Sequence, residues 1–220
     1  MKSPAPLPQV ALAYWARRLA ARSGGRAVVL RSVDTDLALI AALHAAPGML
    51  VQLSHFDRRT REMSRLTLDA CALADGVRRG LRVSMDDWAL ICISRGTDFV
   101  ARGVRGVPGW SQYVAVCAGF LVDSRATLVS GDAFDGPLAV RMLHSVARAS
   151  RGGAVKADGA WLARLCWNYE YWVLAPAGRG AAVDPLDDDA PVAGWLVDDD
   201  GSVVEASAPL SRAGVWQLKN

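Results

Sequence analysis

The feature that most constrains the chain is an unbroken apolar run, Ala27-Val28-Val29-Leu30, lying between a glycine pair and a pair of aspartates. Apolarity without alternation predicts a strand covered on both faces, as in a parallel sheet. Residues 9–23 are good helix formers and stop at Ser23-Gly24-Gly25, so a helix and a turn precede the strand. Asp34-Thr35-Asp36 falls at the strand's carboxyl end. Helical spacing resumes from Leu37 to His44, Pro47-Gly48 breaks it, and Met49–Leu53 reads as a second strand. Strand, helix and strand in that order point to an α/β fold with parallel pairing.

The alternation continues. Residues 56–61 (FDRRTR) predict an exposed turn, Met63–Leu68 a short strand, and Asp69–Arg79 a helix. Ser84-Met85-Asp86-Asp87 matches a capping box, with Ser84 as N-cap and Asp87 three residues on, opening an apolar helix over Trp88–Ser94 that should stop at Gly96. The glycine-rich stretch VARGVRGVPG then leads to another apolar helix near Ser111–Leu121. The remainder reads as mainly helical through about Leu174, with Gly152-Gly153 as a break and a loop-rich end containing short strands.

Slightly more than half of the 220 residues are apolar and 21% are charged, enough for one substantial core. No apolar run approaches the roughly 20 residues of a membrane span, and the leading MKSPAPLPQV lacks a secretory apolar stretch, so the expectation is a soluble intracellular protein with no membrane partner. Cys71, Cys92, Cys117 and Cys166 are scattered without a CxxC pair and read as small core hydrophobes. His44, His55 and His144 stand apart without a ligand pattern. Net charge is only +3, yet residues 1–33 hold Lys2, Arg17, Arg18, Arg22, Arg26 and Arg31 and no acid. Residues 184–205 hold seven aspartates and Glu205 and no base. Such asymmetry fits a front that faces a polyanion, or simply two solvated faces.

Two carboxylates leaving a strand end attract a hard cation, and Mg²⁺ is held by a few carboxylate oxygens plus waters. Asp34 is also well placed to cap the helix that follows, and residue type alone leaves both roles open. Asp98, in Gly96-Thr97-Asp98-Phe99, is a third candidate. The aromatic series Trp161, Trp167, Tyr169, Tyr171 and Trp172 could stack on bases, but its helical spacing with Leu162, Leu165 and Cys166 fits a buried face better.

VVLRSVDTDLALI, WALICISRGTDFV and GVRGVPG, in that order and spacing, resemble the C-terminal part of a flap-endonuclease-like nuclease domain of the XPG family. The resemblance covers roughly residues 9–122. It implies a PIN-like parallel sheet flanked by helices, a helix-hairpin DNA-binding element, and a mostly helical C-terminal extension over 123–220. It also implies that Asp34, Asp36 and Asp98 are catalytic metal ligands for Mg²⁺ or Mn²⁺. Arg102, Gly103, Arg105, Gly106 and Gly109 would then grip branched or flapped DNA. The glycines would admit a phosphate to the main chain and the arginines would add salt-sensitive attraction.

The chain departs from the family where further carboxylates should lie. Val10-Ala11-Leu12-Ala13-Tyr14-Trp15 offers none, and the family's N-terminal strand with its own aspartate has no counterpart. Holding two ions about 4 Å apart takes more carboxylates than holding one, and three aspartates suit a single ion better than two. The expectation is therefore a nuclease-like protein with an incomplete site holding one ion, its missing part supplied by a partner protein. A non-catalytic nucleic-acid-binding or structural subunit is the alternative. A glycosyltransferase-like site, with the DxD on a nucleotide-sugar diphosphate, leaves the Gly96–Gly109 segment unexplained.

Overall fold

The computed structural model describes residues 8–57, 59, 61–97, 100–106, 109–131, 133–150, 153–174, 195–197 and 203–205. The described residues form seven α-helices and small mixed sheets, an α/β arrangement. None of these helices is long and apolar enough to cross a membrane. The chain divides into two compact units at the step from Gly80 to Leu81.

The first unit begins with α1 (Pro8–Arg22), ended by Gly24 and Gly25 at φ 61° and 92°, backbone angles that favour glycine. β1 (Val28–Ser32) and β2 (Met49–Asp57) pair in parallel across α2 (Thr35–Leu43), and β3 (Glu62–Asp69) returns antiparallel to β2, giving the order β1-β2-β3. α3 (Ala70–Leu81) follows, with the Asp69 carboxylate accepting the Ala72 amide at 2.8 Å. Ala16 and Ala20 of α1 and Leu37, Ala38 and Ala41 of α2 pack with Leu30, Met49 and Val51. The alanines of α1 let its backbone lie close over the strands.

Both helices therefore cover the same face of the sheet. The other face carries Val29 and Arg31, both exposed, in register with Leu50 and Gln52 and onward with Asp69 and Thr67. This corrects the expectation of a strand covered on both sides, and of an all-parallel sheet. A run as short as Val28-Val29-Leu30 is apolar on both faces by composition, and periodicity cannot say whether a second layer exists to cover the outward one.

The second unit is mostly helical. α4 (Met85–Ser94) is buried from Asp87 to Ser94 and lies among α5 (Trp110–Ser124), α7 (Gly159–Tyr169) and the π-helical turn Glu170–Leu174 that continues α7. α6 (Gly136–Ala149) packs on α5. Short antiparallel pairs link the helices: β4 (Val104–Arg105) with β7 (Ala154–Val155), and β5 (Val129–Ser130) with β6 (Ala133–Phe134). β8 (Trp195–Val197) pairs antiparallel with β9 (Val203–Glu205).

Local signals explain most helix ends. Ser84, Asp135 and Asp158 each accept a first-turn amide, from Asp87, Leu138 and Trp161 respectively. Trp161, Trp167, Tyr169, Tyr171 and Trp172 are all buried, so they form core rather than a base-stacking platform. Cys92, Cys117 and Cys166 are buried free thiols and Cys71 is partly buried. Burial drives the Cys117 thiol up to about 12, against the lowering effect of its hydrogen bond with Tyr113.

Candidate functional site

Asp34 and Asp36 lie where β1 hands over to α2. Asp34 has extended backbone angles and is the N-cap of α2, its Oδ1 accepting the Asp36 amide at 3.0 Å. The Asp34 amide in turn donates to the Ser32 hydroxyl at 2.9 Å. Asp36 sits in the first turn, where the helix dipole favours a carboxylate. Both are half-buried. The capping role is thus realised, and it fixes the first carboxylate by one oxygen at the strand's carboxyl end.

Asp98 lies outside the described residues, together with Phe99, Val107 and Pro108. The neck of its loop is described. The Thr97 amide donates to the Val100 carbonyl at 2.9 Å, and the Val100 amide to Thr97 Oγ1 at 3.1 Å. Thr97 Oγ1 donates to Asn168 Oδ1 at 2.7 Å, a bond from α7 across 71 residues. Among the described residues no group of three or more His, Cys, Asp or Glu is arranged to hold a metal ion.

The glycine-rich segment separates into two parts. Gly103 is buried: a Cβ there would come within 2.7 Å of both Leu143 and Trp161, its amide donates to the Ser94 carbonyl at 3.2 Å, and its own carbonyl accepts from Lys156 at 2.8 Å. Both backbone groups are committed to the fold, which corrects its placement among phosphate-facing glycines. Arg102, Arg105, Gly106 and Gly109 are exposed. Gly106 has φ 69°, in the left-handed region, and turns the chain out of β4. Gly109 is the N-cap of α5 and provides no side-chain cap, and the first turn of α5 holds no acidic residue. Gly109 thus gives the leading amides of that 15-residue helix no capping side chain of its own.

Arg95, which closes α4, places its guanidinium 5.8 Å from the Trp110 ring centroid and 5.9 Å from that of Tyr113. Its Nε is buried without a hydrogen-bond partner. Three arginines, Arg95, Arg102 and Arg105, thus come from the segment that leads into α5. Sequence reasoning passed over Arg95 because its alignment with the aromatic face of α5 is a tertiary contact. It also passed over a cleft of about 500 Å³ in the second unit, whose lining includes Arg82, Ser84, Asp87, Arg125 and Thr127.

No protein-family model, curated protein or solved structure matches this chain.

Proposed function

We propose that the chain is a nuclease-like protein that binds branched or flapped DNA through the start of α5, with an acidic site too sparse to cleave unaided. The observation that carries this reading is the α5 N-terminus: a glycine N-cap, no acid in the first turn, and exposed Arg102 and Arg105 just upstream. Such a terminus complements a phosphate by its amides and dipole, and the arginines add attraction that salt weakens. The order of elements agrees with the family pattern. The strand Val28–Ser32 is followed by Asp34 capping a helix, and the Ser84-capped apolar helix Met85–Ser94 precedes, along the chain, the glycine-rich sequence before α5.

Asp34 and Asp36 suit a hard cation by their oxygen donors, and Asp98 enters this reading only through the family resemblance. A bound Mg²⁺ or Mn²⁺ would supply an acidified water and charge neutralisation at the phosphate. Asp34 and Asp36 would hold it from the N-terminus of α2, just past β1, with the Asp36 amide donating to Asp34 Oδ1. Val10–Trp15 at the start of α1 brings no carboxylate for a second ion. A partner polypeptide is the proposed source of the rest, and a purely DNA-binding subunit is the second reading, favoured by the acid-free residues 1–33.

The test is hydrolysis of a flapped duplex with Mg²⁺ by the chain alone, beside Asp34→Ala and Asp98→Ala. Binding with weak or absent cleavage is expected. Robust cleavage abolished by both substitutions would show that three aspartates suffice and overturn the incomplete-site reading.

A further inference from the structure

Helix α1 has an apolar arc wider than its own sheet covers. At about 100° per residue, Ala13, Ala16 and Ala20 share one arc and Leu12, Trp15 and Leu19 the adjoining one, centred about 100° away. The alanines are buried, whereas Leu12, Trp15 and Leu19 are 47%, 57% and 56% exposed. Their i, i+3, i+7 spacing aligns them as one ridge over two turns. A single exposed leucine is ordinary, but a ridge of two leucines around a tryptophan has the form of a helix that anchors in a groove. One side of the ridge is cationic. The Arg18 guanidinium lies 5.6 Å from the Trp15 ring centroid and 5.5 Å from that of Tyr14, to whose hydroxyl it donates at 2.6 Å, and exposed Arg22 follows one turn later.

We infer that α1 is a docking helix whose Leu12-Trp15-Leu19 ridge seats in an apolar groove, rimmed by carboxylates, on another polypeptide. Charge selects this occupant. Arg18 and Arg22 flank the ridge and α1 carries no acid, so a second copy packed ridge to ridge would set these arginines against their counterparts with no carboxylate on either helix between them. A nucleic acid strand would use Trp15 and the arginines but leave Leu12 and Leu19 in water. An acidic protein groove buries all three side chains and pairs the rim. Trp15, pre-stacked by Arg18, is the anchor, since tryptophan and arginine dominate interface energetics. The inference uses neither the aspartates nor Arg102 and Arg105, so it stands or falls separately from the nuclease-like reading.

The probes are two labelled helical-hairpin peptides with the same apolar groove, one rimmed by glutamates and one by lysines, titrated with the full chain by fluorescence anisotropy. The glutamate hairpin should bind, more weakly as salt rises, and lose more than about tenfold on Trp15→Ala, with Trp15→Phe recovering part of the loss. The lysine hairpin should not bind. Trp15 is exposed, so circular dichroism should report unchanged helix content in both variants. Equal affinity for the two hairpins, no affinity for either, or indifference to Trp15→Ala would overturn the proposal. It is equally overturned if Trp15→Ala instead abolishes dimerisation of the chain or its binding to phosphatidylserine vesicles.

Discussion

Asp87 is the residue whose removal should cost the second unit most for its size. It is 3% exposed and lies in the first turn of α4. Its Oδ1 accepts the Leu128 amide at 2.7 Å and the Thr127 hydroxyl at 3.1 Å, while its Oδ2 accepts the Ser84 hydroxyl at 2.8 Å. One carboxylate thus ties the start of α4 to the segment after α5, some forty residues on. In Asp87→Ala, Ser84 and Thr127 are exposed and can turn to water, but Leu128 is fully buried and its amide cannot. An orphaned buried donor costs about 1–3 kcal/mol, and losing a bond to a charged acceptor about 1.5–3 kcal/mol, overlapping terms that together give about 2–4 kcal/mol. Asp87→Asn keeps an oxygen for Leu128 and should cost about half as much. Urea denaturation followed by tryptophan fluorescence measures both, since most of the tryptophans lie in this unit. A loss below about 1 kcal/mol for Asp87→Ala, or equal losses for the two variants, would refute the assignment of the cost to the Leu128 amide.

Gly103→Ala should destabilise the second unit by about 1–3 kcal/mol, because its Cβ would meet Leu143 and Trp161 at 2.7 Å, and a thermal melt will show it. Gly109→Asp should raise stability by a few tenths of a kcal/mol by capping α5, yet weaken DNA binding by setting a carboxylate where a phosphate should lie; melting and anisotropy moving in the same direction would contradict this. Thr97→Val removes the hydroxyl bonded to fully buried Asn168 and should cost about 1–3 kcal/mol, with Thr97→Ser restoring most of it in the same melts. The Cys117 thiol is raised by burial from an ordinary 9.0 to about 12, so the unfolded chain loses this proton at lower pH than the fold does. Its stabilising effect is complete below about pH 9 and is lost as pH rises toward about 12. Denaturation midpoints should therefore fall across that window, less steeply in Cys117→Ala.

The elements that sequence reading located are those with local causes. The strand Val28–Leu30, the Ser84 cap, the stop at Gly96 and the buried aromatic helix all follow from propensity, capping chemistry or periodicity within a few residues. Asp34 is instructive, because cap and ligand ask for the same residue at the same place, and the cap is the role with a visible partner. What escaped depends on partners far along the chain. Gly103 looks like any glycine of its turn until Leu143 and Trp161 close over it, and Asp87 looks like half of a capping box until Leu128 reaches it. The open face behind Val29 escaped for the same reason, since coverage belongs to a second layer and not to the strand.

Binding of a flapped duplex, followed by anisotropy as salt is raised, tests the central claim most directly. Each phosphate neutralised contributes about 0.9 to the slope of log affinity against log salt, so replacing both Arg102 and Arg105 by alanine should reduce its magnitude by about 1.8. Both side chains are exposed, so the fold should survive the change. The account predicts salt-sensitive binding with that reduction. Absence of binding, or a slope the double substitution leaves unchanged, would contradict it.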